Sequence, residues 1–444
     1  MPLDLKLTGG VLVRPEGAFA ADIGIADGRI AEIGDLSGRE SSEEIDATGL
    51  HVFPGVIDTQ VHFREPGMEH KEDLQTGSNA AIAGGVCAVL EMPNTSPPTT
   101  TAEALRLKLD RADGRMYCDY GFFIGASSEN VGELRELEQL PGVPGIKIFM
   151  GSSTGSLLVP TDELLQKVLA SGVRPCPVHA EDHHRLEELK ARSTSEKTVF
   201  DHPTLRDSEC ARLATDRLIR AARNARRPVH ILHVSTRDEL PLIRGAKAEG
   251  VPVTAEVTPQ HLWFAAPDCY AKLGTHAQMN PPIRSREHRA ALREALKAGL
   301  FDVFGSDHAP HTLEEKALPY PQSPSGMPGV QTLLPAVLTL AVREKLLSLE
   351  VASAMLSARP ASLYGLKDRG KIEIGWKADL AIVSLREAQV ASADRMKSKC
   401  GWTPFEGEEL VGWPQWVVLS GRVQLHHGEV IGVPRGRPVS FDWK

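Results

Sequence analysis

The chain has 444 residues, enough for one large domain with a smaller one beside it or for two to three average domains. With 41% hydrophobic and 24% charged residues, its composition is that of an ordinary soluble globular protein. A formal net charge of −8 gives no basic footprint, so nucleic-acid or anionic-membrane binding has no electrostatic support and a small-molecule substrate is the default.

The segment Met1 to Leu7 alternates apolar with other residues and lacks the continuous apolar core of a signal peptide. No apolar run approaches the ~18 residues that span a bilayer. Residues 3–50 are rich in strand signals. In Ala21 to Gly34, two Ile-containing runs meet at Asp27-Gly28, a dipeptide favoured in tight hairpins because both central residues need positive φ. Residues 1–52 are therefore expected to be part of a small β-domain. Six cysteines are scattered without a C-x-x-C pair, which argues against a disulfide framework or a thiolate zinc site. Buried thiols in a reducing cytoplasm are expected.

From 53 to 365 short apolar segments alternate with amphipathic ones. Strand candidates lie at 52–58, 85–92, 117–125, 145–150, 173–179, 228–234, 251–257 and 301–306. Helix-like stretches include Thr101–Arg111, Glu129–Leu140, Thr161–Ala170, Asp207–Ala225 and Arg286–Ala298, several opening on an acidic or hydroxyl residue. Eight such strands suggest an α/β chain built on a (β/α)8 TIM barrel, although a doubly wound open sheet fits the same periodicity. The stretch Pro319 to Gly329, rich in Pro, Ser and Gly, reads equally as a substrate-covering loop or a plain surface loop. Strand signals return over 366–444, at Lys371–Val383, Trp416–Leu419 and Arg422–Val430. Pairing with the N-terminal strands would make one β-sandwich domain from both chain ends.

Polar residues collect where the predicted strands end. Alternation along the first strand places Gln60, His62 and Arg64 on one face. Lys147 lies within the apolar run Gly145–Met150, where a neutral or modified amine is easier to bury than an ammonium; a lysine snorkelling to solvent is the plainer reading. His179, His233 and Asp307 close the fifth, sixth and eighth strands. Singly, each histidine fits a structural hydrogen bond and Asp307 fits a turn cap. Their coincidence on the face where barrel enzymes keep active sites favours a shared chemical role.

The segments VIDTQVHFREPG (56–67), EMPNT (91–95), GIKIFMGSSTG (145–155), VHAED (178–182), HILHVST (230–236), EVTPQHL (256–262), MNPPIR (279–284), GSDHAPH (305–311) and MPGVQT (327–332) resemble the amidohydrolase superfamily. The resemblance is most specific to dihydroorotase and its cyclic-amidohydrolase relatives, allantoinase and hydantoinase, and covers nearly the whole chain. It implies a zinc centre in which Lys147 is carboxylated at its side-chain nitrogen and bridges two ions. His179 and His233 would complete the inner site, and positions 60 and 62 with Asp307 the outer one. It further implies attack of a deprotonated water on the ring amide carbonyl, with Asp307 carrying the proton to the leaving nitrogen. Arg64 and Asn94 match the donors for a substrate carboxylate, Asn280 and His311 further positions at carboxylate and ring, and backbone groups of Pro328 and Gly329 the ring amide. Turn formation beside Pro93 and Pro281 is the plainer role for the two asparagines.

Two positions depart from the pattern: Gln60 stands in place of a histidine, and Gln260 where His is common. A neutral amide oxygen is a poorer zinc donor than imidazole, so Gln60 predicts a weak or lost outer ligand. Arg64 with Asn94 favours ring closure of N-carbamoyl-L-aspartate to L-dihydroorotate, since a neutral hydantoin needs no cationic clamp. An allantoinase or hydantoinase, and a catalytically silent partner of aspartate transcarbamoylase, are the alternatives. A homo-oligomer, a dimer or larger, is expected by resemblance.

Overall fold

The computed structural model describes residues 2–151, 157–192 and 197–442. Through the middle of the chain strands alternate with helices, and the strands pair in parallel in sequence order. One arc holds Val56–Val61, Val86–Glu91 and Asp119–Phe122. A second holds Ile124–Gly125, Ile146–Phe149, Cys176–His179, Val229–Ile231, Val253–Val257 and Val303–Phe304. The arcs meet at Phe123, whose N–H donates to Glu91 O at 3.0 Å. At the other seam the last and first strands share no regular ladder. They are joined by one parallel bridge between Val61 and His308 and by Ser306 N–H donating to Asp58 Oδ1 at 3.1 Å. The parallel strands therefore do not form one continuous closed ring. Nearly all their residues are buried, which is why they read as unbroken apolar runs.

The strand expected over 52–58 is two strands. His51–Pro54 pairs antiparallel with Leu380–Val383, whereas Val56–Val61 enters the parallel arc. Gly55 is the pivot: a Cβ there would lie 2.6 Å from Cys87 Sγ and 3.0 Å from Asp379 Cβ. Only glycine lets the chain pass between the two sheets.

Strands from both chain ends share a seven-stranded sheet, in the order Glu429–Val430, Arg422–His426, Pro414–Leu419, Leu380–Val383, His51–Pro54, Val11–Arg14, Gly17–Ala20. A four-stranded sheet, Arg29–Gly34, Asp22–Ala26, Leu3–Thr8, Ser41–Asp46, packs on it through Leu5, Leu7, Ile23, Ile25, Val52, Leu380 and Val418. The Asp27-Gly28 turn adopts the left-handed conformation its sequence requires, with φ of 51° and 74°. The strand expected over Lys371–Val383 is confined to Leu380–Val383, because Trp376 N–H turns back onto Glu373 O and Gly375 has φ 88°.

Helices Ala102–Ala112, Asp162–Ala170 and Ser208–Ala225 begin at Thr101, Thr161 and Asp207, whose side chains accept from backbone N–H groups of the first turn. The helix expected over Glu129–Leu140 shrinks to Leu134–Leu137; Asn130 instead folds back to accept from Ser127 N–H. Among the described residues no helix is long and apolar enough to cross a membrane.

Candidate active site

The strand ends converge on a cavity of about 360 Å³, lined by Gln60, His62, Arg64, Asn94, Lys147, His179, His233, Asn280, Asp307 and His311 among others. Arg64, His233 and Asp307 have φ of 66°, 36° and 45°, a region non-glycine residues seldom adopt. Three such residues in one cavity mark backbone held out of its preferred wells so that side chains point inward.

Lys147 is fully buried, and its Nζ has no hydrogen-bond partner, lying 4.5 Å over the Phe149 ring. Burial, opposed by Asp307 and Glu256, brings its pKa down to about 7, so a large share of the amine is neutral and nucleophilic near neutral pH. His179 Nε2 lies 2.9 Å from Glu181 Oε2, which can only accept, and this leaves the Nδ1 lone pair facing His233 Nε2 at 3.2 Å. That separation is close to the edge of a tetrahedron with metal–nitrogen bonds of about 2.0–2.1 Å. Burial opposes the charge of Glu181, but the Arg206 guanidinium and His179 hold it ionised.

On the opposite wall, His62 Nδ1 donates to Asn94 Oδ1 at 2.7 Å, and Nε2 faces Asp307 Oδ1 at 3.4 Å. Burial keeps His62 neutral, so a lone pair confronts a carboxylate, a gap suited to a cation. Although burial opposes it, the neighbouring imidazoles of His62 and His233 and the Lys147 amine hold Asp307 well below the usual carboxylate range. Gln60 presents its Nε2 to Asp307 Oδ1 at 2.9 Å, while its Oε1 has no partner. As placed, it is a donor to Asp307 rather than a metal ligand. Among the described residues no three His, Cys, Asp or Glu side chains form a metal-holding group. Two facing pairs, His179 with His233 and His62 with Asp307, become one set only through Lys147, which lies within electrostatic reach of all four. The donors fit a divalent ion if that amine is converted to an anionic oxygen donor.

Arg64 is buried, its Nε donating to Pro310 O at 3.1 Å; burial lowers its pKa to about 10, and it stays cationic. Pro328 and Gly329 lie outside this cavity, in a separate recess beside His308; the N–H of Gly329 donates to His308 Nδ1 at 3.0 Å. Gln260 donates to Ser306 O at 2.8 Å and so braces the turn that carries Asp307. Residues 152–155 of the GIKIFMGSSTG segment lie outside the described residues.

A model of the amidohydrolase family matches residues 51–423. The chain belongs to the amidohydrolase family. It is an enzyme of that family, a hydrolase. It is 38% identical to a dihydroorotase of Methanosarcina acetivorans over 415 residues, 91% of this chain and 88% of the relative. It is 33% identical to an allantoinase of Deinococcus radiodurans over 449 aligned residues, 98% of each. The solved structure of an L-hydantoinase (dihydropyrimidinase) from Arthrobacter aurescens superposes with a TM-score of 0.94 at 30% identity, covering 99% of this chain and 100% of that one. That likeness implies a TIM barrel with a β-rich domain.

Several groups that shape this amidohydrolase cavity carry no motif of their own. Lys71 and Met68 line it, as do Pro324, Ser325 and Gly326 of the Pro319–Gly329 loop. The loop is held by buried Lys316, whose Nζ donates to Gln278 O, Pro324 O and Gly326 O at 3.2, 2.8 and 3.1 Å. Glu181 could have been found by parity, two residues beyond His179; Lys71 sits in His70–Asp73, a polar run with the look of a solvated turn.

Proposed function

We propose that this cyclic amide hydrolase is a dihydroorotase, reversibly closing N-carbamoyl-L-aspartate to L-dihydroorotate in pyrimidine biosynthesis. The observation that carries the reading is buried, cationic Arg64 in the cavity that also holds His62, Lys147, His179, His233 and Asp307. A ring bearing a carboxylate requires such a clamp; a neutral ring does not. The dihydroorotase names among the relatives support the same reading. In this reading residues 53–365 are a (β/α)8 barrel, and residues 1–52 and 366–444 together form a β-sandwich domain. Lys147, carboxylated, joins His179, His233, His62 and Asp307 as zinc ligands, with Gln60 withdrawn to Asp307. Zinc, if bound by these residues, would supply polarisation of the ring carbonyl and a lowered pKa of the attacking water. In the hydrolytic direction a water oxygen bonds to the carbonyl carbon, the ring C–N bond breaks, and Asp307 moves the proton to the departing nitrogen. Arg64, Asn94 and Asn280 orient the ring. A homo-oligomer, and an association with aspartate transcarbamoylase, rest on the family resemblance alone; a cytoplasmic location rests on the six free, buried cysteines.

The test is metal content of the purified protein together with turnover of dihydroorotate, allantoin and hydantoin. We expect dihydroorotate to have the highest kcat/KM and the metal content to be about one per chain, rising to about two in Gln60→His. Wild-type content already at two, unchanged in the variant, would refute the weakened site. A preference for allantoin would favour the second reading, allantoinase, which the Deinococcus relative supports. No turnover of any ring at full metal loading would sink the assignment.

A further inference from the structure

His311, matched by resemblance to a carboxylate-binding position, is fully engaged elsewhere. Its Nε2 lies 3.0 Å from Ser325 O, which can only accept, and 3.2 Å from Arg64 Nη2; because the Lys71 ammonium can only donate to Nδ1, Nε2 carries the proton and Ser325 O takes the hydrogen bond. Its Nδ1 accepts from Lys71 Nζ at 3.1 Å. Burial, then the cations Arg64, Lys71 and Lys316, keep the ring neutral. His311 thus offers an incoming anion neither a charge nor a free N–H. Asn94 has spent its oxygen on His62, and Arg64 has spent Nε on Pro310 O and sets Nη2 3.2 Å from His311 Nε2, which leaves Nη1 for the cavity.

Among the described residues lining this wall, the remaining positive group is Lys71. Its ammonium lines the cavity, is 13% exposed, and lies 3.1 Å from Glu315 Oε1, a carboxylate 26% exposed at the rim. A lysine is a mobile point charge on a flexible stem and can turn from a rim carboxylate to a ligand without leaving its seat. We infer that Lys71 is a specificity-determining residue, whose ammonium acts with the Arg64 guanidinium to hold the exocyclic carboxylate of the ring, while His311 positions that ammonium. The inference deepens the dihydroorotase reading and rests on it for the identity of the natural ring.

The experiment measures direct binding of orotate and uracil, the same flat ring with and without a carboxylate, to the metal-loaded full chain by calorimetry. In Lys71→Met and Lys71→Gln, orotate affinity should fall about tenfold or more while uracil affinity stays within about twofold. Lys71→Arg should keep orotate binding within about threefold of wild type. Glu315→Gln retains the helix-capping oxygen but frees the ammonium, and should bind orotate as tightly as wild type or tighter. The inference is overturned if wild type does not favour orotate over uracil, if the Lys71 variants weaken both ligands alike or neither, or if Glu315→Gln loses orotate as Lys71→Met does. Turnover is judged separately: an enzyme processing only neutral rings would remove the dihydroorotase reading, while orotate binding would still decide the role of Lys71.

Discussion

Glu181 does not line the cavity, yet it sets which nitrogen of His179 faces inward. Its carboxylate accepts from Nε2–H at 2.9 Å and is itself held in place by Arg206, so the ring cannot turn without breaking that hydrogen bond. Partners of this kind fix the tautomer of an imidazole ligand and raise its basicity. Glu181→Gln should therefore lower zinc affinity about 10–100-fold, measured by competition with a chelator. Unchanged affinity would show that His179 is held by packing alone. Gln60 works in the opposite sense: its amide donates to Asp307, so the carboxylate is oriented by a neutral hydrogen bond where a histidine would offer a lone pair.

Among the elements, the seam at Gly55 is the most sensitive to volume. Gly55→Ala pushes a methyl to 2.6 Å from Cys87 Sγ where two sheets pass, and should destabilise the protein by about 1–3 kcal/mol, read from urea-unfolding midpoints. An unchanged midpoint would mean that the seam yields. This element also marks where reading the sequence stops short. Buried parallel strands are continuous apolar runs, so their positions, and the polar residues ending them, are visible without a structure. One apolar run that serves two sheets is not divisible by hydropathy, which is why 52–58 reads as one strand. The helix Leu74–Ala83 escapes notice for a related reason: Gly77, Ser78, Ala80, Ala81 and Ile82 are all buried, so no polar face gives it a period. At the cavity, residues on strands are legible, whereas Lys71 and the bracing of the loop by Lys316 depend on contacts between distant segments.

Across the whole molecule, a buried ionic network ties the parallel arc to the β-rich part. Arg369 pairs with Asp119 on the strand Asp119–Phe122 and, at 3.0 Å, with Asp379 beside Leu380–Val383, all almost fully buried. Arg369→Leu would leave buried Asp379 without its paired cation and Asp119 with only Lys377 at 3.6 Å, and should cost about 3–5 kcal/mol, seen as a lower denaturation midpoint of the full chain. A loss below about 1 kcal/mol would mean that the carboxylates find other partners. The seven-stranded sheet carries a further consequence, for synthesis. His51–Pro54 and its partner Leu380–Val383 are separated by more than 300 residues, and Pro414–Leu419 follows later still. At roughly 5–20 residues per second the first strands emerge from the ribosome tens of seconds before the strand that flanks them exists. For that interval the nascent chain exposes an unpaired apolar edge, and chaperone demand during translation should fall sharply once the last hairpin is released.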